Sequence, residues 1–122
     1  MTRVLIVEDV ESMRALLQVL LQGIPDIQVS GAVGNLRDAE LELLRRRPDL
    51  VLLDEVLPGE SIRDFVKVLH QEGIPMIVLT SMEESTHELP QGVIHRLSKP
   101  GWRSLQSDQK RFEVEIRKIF KK

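Results

Sequence analysis

The sequence predicts an α/β fold: a doubly wound, five-stranded parallel sheet with helices on both faces. Three observations carry this. Short β-branched runs alternate with helical apolar stripes along the chain, the pattern of strands joined by helical crossovers. Three of the runs are almost wholly apolar, as strands covered on both faces should be. Gly23, Pro25, Pro48, Gly73 and Pro75 punctuate the boundaries between runs and stripes.

The strand-like runs fall at 4–7, 27–33, 50–53, 76–79 and 93–97, the first, third and fourth being the most apolar. Between them, Met13, Leu16, Leu17, Leu20 and Leu21 recur at helical spacing, followed by Leu36, Ala39 and Leu43. Ile62, Phe65, Val66 and Leu69 make a third stripe, and Leu105, Phe112, Ile116, Ile119 and Phe120 the last. Gly23 and Pro25, Pro48, and Gly73 with Pro75 close the first three helices. The segment 81–89 has few apolar positions and is closed by Pro90-Gln91-Gly92, which predicts a shortened fourth helix.

At 122 residues the chain fits one domain with one sizeable core. Its 42% apolar and 30% charged residues are those of a globular protein, and a net charge of -2 argues against a nucleic-acid binder. The absence of cysteine excludes disulfides, thiolate metal sites and thiol nucleophiles. No apolar run approaches the roughly 20 residues that cross a bilayer, and MTRVLIVED is unlike a signal peptide. The expectation is a cytoplasmic protein without membrane contact.

Doubly wound sheets bind ligands beyond the C-terminal ends of their strands, so the chemistry is sought there. The first strand runs into Glu8-Asp9, the third into Asp54-Glu55, the fourth into Thr80-Ser81 and the fifth into Ser98-Lys99-Pro100. These ends open onto one rim, bringing together the Glu8, Asp9 and Asp54 carboxylates, a hydroxyl and an ammonium. Crowded carboxylates repel and take up protons unless a cation neutralises them. An all-oxygen set suits Mg²⁺, which accepts a few carboxylates and keeps several waters. With Thr80 and Lys99 the rim has the parts of a phosphoryl site. Each residue alone has a plainer explanation: Asp after a strand commonly caps a helix or forms a turn, and Lys-Pro commonly marks a solvated turn. Their combination, in order at four strand ends, is far harder to explain that way.

In this combination the chain resembles the response-regulator receiver, the phosphoacceptor half of two-component signalling. The matching segments are VLIVEDVESMR at 4–14, PDLVLLDEVLPG at 48–59, MIVLTS at 76–81 and LSKP at 97–100. The resemblance implies the flavodoxin-like strand order 2-1-3-4-5 and one receiver domain over residues 1–122. It implies that Asp54 accepts a phosphoryl group from a histidine kinase or phosphotransfer protein. Glu8, Asp9, Asp54 and the backbone carbonyl of Val56 would hold Mg²⁺. Thr80 would bond the phosphoryl group, Lys99 would pair with one of its oxygens, and the small Ser81 would leave the acceptor accessible. A downstream protein or output domain is implied, but the residues do not identify it.

The chain departs from the family pattern in three places. Arg96 stands three positions before Lys99, where an aromatic residue is usual, and reads as a surface residue of an edge strand. The loop 56–62 lacks the usual Asp-Gly pair at Ser61 and Ile62, with Gly59 in position to supply the flexible backbone. The stretch from Thr80 to Lys99 is shorter than usual by about one helical turn. After Lys99, the polar segment through Trp102 to Asp108 is loosely similar to the receiver at the front of chemotaxis methylesterases. Trp102 itself reads as a core anchor at the base of the last helix.

The complete set of Glu8, Asp9, Asp54, Thr80 and Lys99 favours a phosphorylated switch over a pseudo-receiver that binds partners without phosphorylation. An aspartyl phosphatase would need a second Asp two residues after its nucleophile, and Val56 cannot transfer a proton. The chain therefore reads as a phosphoacceptor and not as a conventional enzyme. His70, His87 and His95 have no metal-ligand spacing and read as solvated. Arg45-Arg46-Arg47 suits the negative end of the second helix, and the basic residues of the last helix alternate with Glu113 and Glu115 on an exposed face.

Overall fold

Residues 1–81 and 95–121 are described by a computed structural model. Strands β1 (Thr2–Val7), β2 (Ile27–Val33), β3 (Leu50–Asp54), β4 (Met76–Thr80) and β5 (Arg96–Ser98) form one parallel sheet. Their order is β2-β1-β3-β4-β5, as the resemblance implies. The helices are α1 (Glu11–Gln22), α2 (Leu36–Arg45), α3 (Arg63–Gln71) and α4 (Leu105–Phe120), the last preceded by a 3-10 turn at Trp102–Ser104.

Period-two alternation in each central strand supplies two cores. Val4 and Ile6 of β1, with Leu50, Leu52, Ile77 and Leu79, meet Leu17, Leu20 and Leu21 of α1 and Phe112 and Ile116 of α4. Leu5, Val7, Val51 and Leu53 point the other way, onto Ala39 of α2 and Phe65, Val66 and Leu69 of α3. Both faces of β1 and β3 are thus covered, which is why their sequences show no polar alternation.

Local signals set the element ends. Asn35 caps α2 by accepting a hydrogen bond from the Asp38 amide (2.8 Å). Gly73 follows α3 at φ 69°, a left-handed conformation that glycine adopts freely. Its amide donates to the His70 carbonyl (3.1 Å) and that of Ile74 to the Leu69 carbonyl (2.9 Å), closing the helix before Pro75.

Some expectations shift. The run at 93–97 appears as β5, Arg96–Ser98, with 93 and 94 outside the described residues. The shortened helix lies outside them too, except for Ser81, as do Pro90 and His87. Arg96 is exposed on the edge strand, as expected. Trp102 is not a core anchor: it is 58% exposed, while Phe112 and Ile116, about two and three turns into α4, fill the core. The 3-10 turn rotates Trp102 away from the stripe that α4 buries. His95 is not simply solvated, since its Nδ1 lies 2.9 Å from Glu115 Oε2, whereas His70 is exposed. Glu113 and Arg117 pair on the outer face of α4 (2.8 Å). No helix among the described residues is long and apolar enough to cross a membrane.

These burials separate Phe112 from Trp102. Phe112→Ala is expected to cost about 3–5 kcal/mol in a denaturant titration, the usual loss for a fully buried phenyl ring. Trp102→Ala should cost less than about 1 kcal/mol, as surface substitutions do.

Candidate functional site

Four strand ends build the site. The Glu8 amide continues the β1 ladder by donating to the Val33 carbonyl (2.9 Å), which buries the side chain completely. Its Oε2 accepts from the Val10 amide (3.0 Å), turning the chain into α1. Arg14, in the first turn of that helix, donates from Nη1 to the Glu8 carbonyl (2.8 Å). Arg14 therefore fixes the Glu8-Asp9 turn, a role not assigned from sequence although its proximity in the chain was visible. Asp9 lies nearer the solvent.

Asp54 ends β3 and is only 3% exposed. The Glu55 amide donates to the Leu79 carbonyl (2.9 Å), so the acid stays aligned with β4. Asp54 Oδ1 accepts from the Val56 amide (3.2 Å), while the Val56 side chain is exposed. Leu57 is buried, and the Glu60 amide donates to its carbonyl (3.0 Å). With Pro58 second and Gly59 third at φ 77°, this is the signature of a type II turn. Gly59 thus provides the backbone freedom expected of it. Glu60 Oε1 accepts from the Leu36 amide (3.3 Å), tying the loop to the start of α2. Residue spacing gave no sign of that contact, because it crosses between two loops.

Thr80 ends β4 opposite Ser98 of β5. Its carbonyl accepts from the Lys99 amide (2.8 Å), so hydroxyl and ammonium are rooted in one backbone pair. Lys99 Nζ lies 2.9 Å from Glu8 Oε1 and 3.2 Å from Asp54 Oδ2. Asp108 and Arg111 of α4, neither singled out in the sequence, hold the backbone on both sides of this lysine.

The structure thus brings Glu8, Asp9, Asp54 and Lys99 together, with Thr80 at the neighbouring strand end. Oxygens of the three carboxylates lie within 4.8 Å of one another. Burial, and then the nearby Glu8 charge, push the Asp54 carboxyl up to about 7 from its ordinary value of 3.8, against the opposing pull of Lys99. For Lys99, burial works to lower the pKa, but the close contact with Glu8 and the charges of Asp54 and Glu8 outweigh it and raise it. Glu8 Oε1 is buried and accepts no hydrogen bond of ordinary geometry, although the ammonium is close enough to form an ion pair. An anionic, all-oxygen cluster with an underused buried oxygen fits a hard divalent cation.

Comparison with known proteins bears on the family and the fold. Residues 4–104 match the family described as "Response regulator receiver domain". The chain is 35% identical over 95% of its length to protein-glutamate methylesterase/protein-glutamine glutaminase 1 of Cereibacter sphaeroides, of which it covers 32%. It is 38% identical over 82% of its length to the KDP operon transcriptional regulatory protein KdpE of Escherichia coli, covering 45% of that protein. The chain therefore spans about a third to a half of these two curated relatives. Among solved structures, the response regulator domain of Thermotoga maritima CheB superposes with a TM-score of 0.76 at 21% identity, covering 96% of this chain and 94% of that one. The chain belongs to the response regulator receiver domain family of two-component signalling.

Proposed function

We propose that residues 1–122 form a receiver domain that works as a phosphoacceptor switch, with Asp54 taking a phosphoryl group from a histidine kinase or phosphotransfer protein. The observation that carries this is the buried Asp54 carboxylate set between the Lys99 ammonium at 3.2 Å and the other two acids of the cluster. An Asp54 oxygen attacks the phosphorus of a phosphohistidine, an O–P bond forms, the N–P bond breaks, and the imidazole leaves. Charge spreads over the transferring oxygens, where Lys99 pairs with one and the Thr80 hydroxyl donates to another. Glu8, Asp9, Asp54 and the Val56 carbonyl would hold Mg²⁺, which when bound neutralises the charge of the acids and the phosphoryl group. A protein or domain downstream then reads the altered rim around Thr80.

The direct test adds Mg²⁺ and a beryllofluoride phosphoryl mimic while following the fluorescence of Trp102, three residues from Lys99. A Mg²⁺-dependent change that Asp54→Asn abolishes is expected. No response in the wild type, together with no calorimetric binding of either ligand, would favour the pseudo-receiver.

The electrostatics give a second expectation. Asp54 binds its proton more tightly in the folded chain than in the unfolded one, so its contribution to stability falls as pH rises from about 4 to about 7, and the cost is complete above that. In chelator, Asp54→Asn should stabilise the protein at pH 8 by up to about 4 kcal/mol. The gain should shrink to nothing near pH 4. A gain independent of pH across this window, measured by urea unfolding, would contradict the assignment of the charge.

Val56 yields a third. A polar side chain there would help position a hydrolytic water, which valine cannot do, so a long-lived aspartyl phosphate is expected. Decay of the labelled protein within seconds would count against it, and Val56→Asn should shorten the lifetime.

A further inference from the structure

Apart from the acidic pocket, the buried charge of the described residues is gathered at the start of α4. Asp108 is buried. Its Oδ2 accepts from Ser104 Oγ (2.6 Å) and from the Gly101 amide (2.9 Å). Its Oδ1 accepts from Arg111 Nη2 (2.8 Å) and Nε (3.2 Å). Arg111 Nη2 also donates to the Ser98 carbonyl (3.1 Å). A closed circuit therefore runs from Ser98 through Arg111 and Asp108 to Gly101. Lys99 and Pro100 are the residues it encloses.

The circuit compensates for a weakness of the sheet. β5 has three residues, lies at the sheet edge and, among the described residues, pairs with β4 alone. Lysine has a long flexible side chain, so its ammonium is placed only as well as its backbone root. The hydrogen bond from the Lys99 amide to the Thr80 carbonyl holds that root from the β4 side. Arg111 and Asp108 hold it from the α4 side, before and after the lysine. The guanidinium suits this task, since its planar fork serves a carboxylate and a carbonyl together, whereas an ammonium is a point charge. Burial works to raise the Asp108 pKa, but the bonds from Ser104, Gly101 and Arg111 prevail and hold it below its ordinary value, so the circuit stays ionic at neutral pH.

We propose that Asp108 and Arg111 are positioning residues for Lys99, acting from α4 to set its ammonium against Asp54 and Glu8. The consequence for phosphoryl transfer rests on Asp54 being the phosphoacceptor, whereas the effect on Lys99 itself does not. A misplacement of about an ångström in a charge that stabilises a transition state slows reaction by one to two orders of magnitude.

The test measures Asp54 phosphorylation from a small acyl phosphate with Mg²⁺, well below the melting temperature of every variant. Arg111→Ala is expected to slow the rate about tenfold with calorimetric Mg²⁺ affinity unchanged. Arg111→Lys should recover only part of it. In a Lys99→Ala background, Arg111→Ala should add no further loss, because it acts through the missing ammonium. An unchanged rate in Arg111→Ala, or the same fold loss in both backgrounds, would overturn the proposal. A second readout needs no phosphoryl group. The Lys99 ¹³Cε resonance should shift and lose order in Arg111→Ala and Asp108→Asn, but not in the surface variant Arg117→Ala. A resonance indifferent to the first two variants overturns the proposal. A wild type that takes no phosphoryl group, yet whose Lys99 resonance responds, upholds the positioning and removes the phosphoacceptor reading.

Discussion

Glu8 and Asp54 close neighbouring strands with their carboxylates almost sealed from water, and the ammonium of Lys99 lies against both. Two buried carboxylates repel, and each loses hydration, so the pocket stays charged only if cations stand beside it. Much of the C-terminal third serves that need. β5 is too short to anchor a lysine by itself, yet it receives the Thr80 carbonyl from one side and the α4 circuit from the other. α4 is in turn seated by Phe112 and Ile116 in the core shared with α1. Loosening that packing would move the counter-charge without touching either acid.

Legibility from sequence followed the range of each interaction. Apolar runs with their punctuation marked the strands and helices, because burial on both faces leaves no polar alternation. Glu8, Asp9, Asp54, Thr80 and Lys99 were readable because a parallel sheet brings successive strand ends to one rim, whatever the loops do. Trp102 was misread, since a helical stripe extrapolated backwards through a 3-10 turn loses its phase. Glu60 on the Leu36 amide, His95 beside Glu115, and Asp108 on the Gly101 amide were not readable. Each joins segments whose separation in the chain carries no periodic signal. Asp108 and Arg111 could have been noticed as an i,i+3 pair, but such pairs are common on solvated helices, and only the fold shows this one to be partly buried.

The relatives divide at the point where the pocket ceases to explain anything. One bears the name of a methylesterase and glutaminase, another that of a transcriptional regulatory protein, and this chain spans less than half of either. A shared receiver fold is therefore compatible with quite different outputs. What varies must lie in the surfaces around the rim and in what is attached to them. Here the edge strand presents an exposed guanidinium at Arg96. A guanidinium is costly to bury, so a switch in this chain would rest more on charge and backbone at Thr80 and Lys99 than on burial of this side chain.

The geometry also constrains how such a reading begins. Lys99 is shared between Glu8 and Asp54, and Glu8 Oε1 accepts no ordinary hydrogen bond to replace it. If the ammonium turns wholly toward a phosphoryl group on Asp54, Glu8 is left buried and unpaired. A buried carboxylate without a counter-charge costs free energy unless another cation is already at hand. If Asp54 is phosphorylated, the change of charge there and cation occupancy beside Glu8 would be linked through one ammonium.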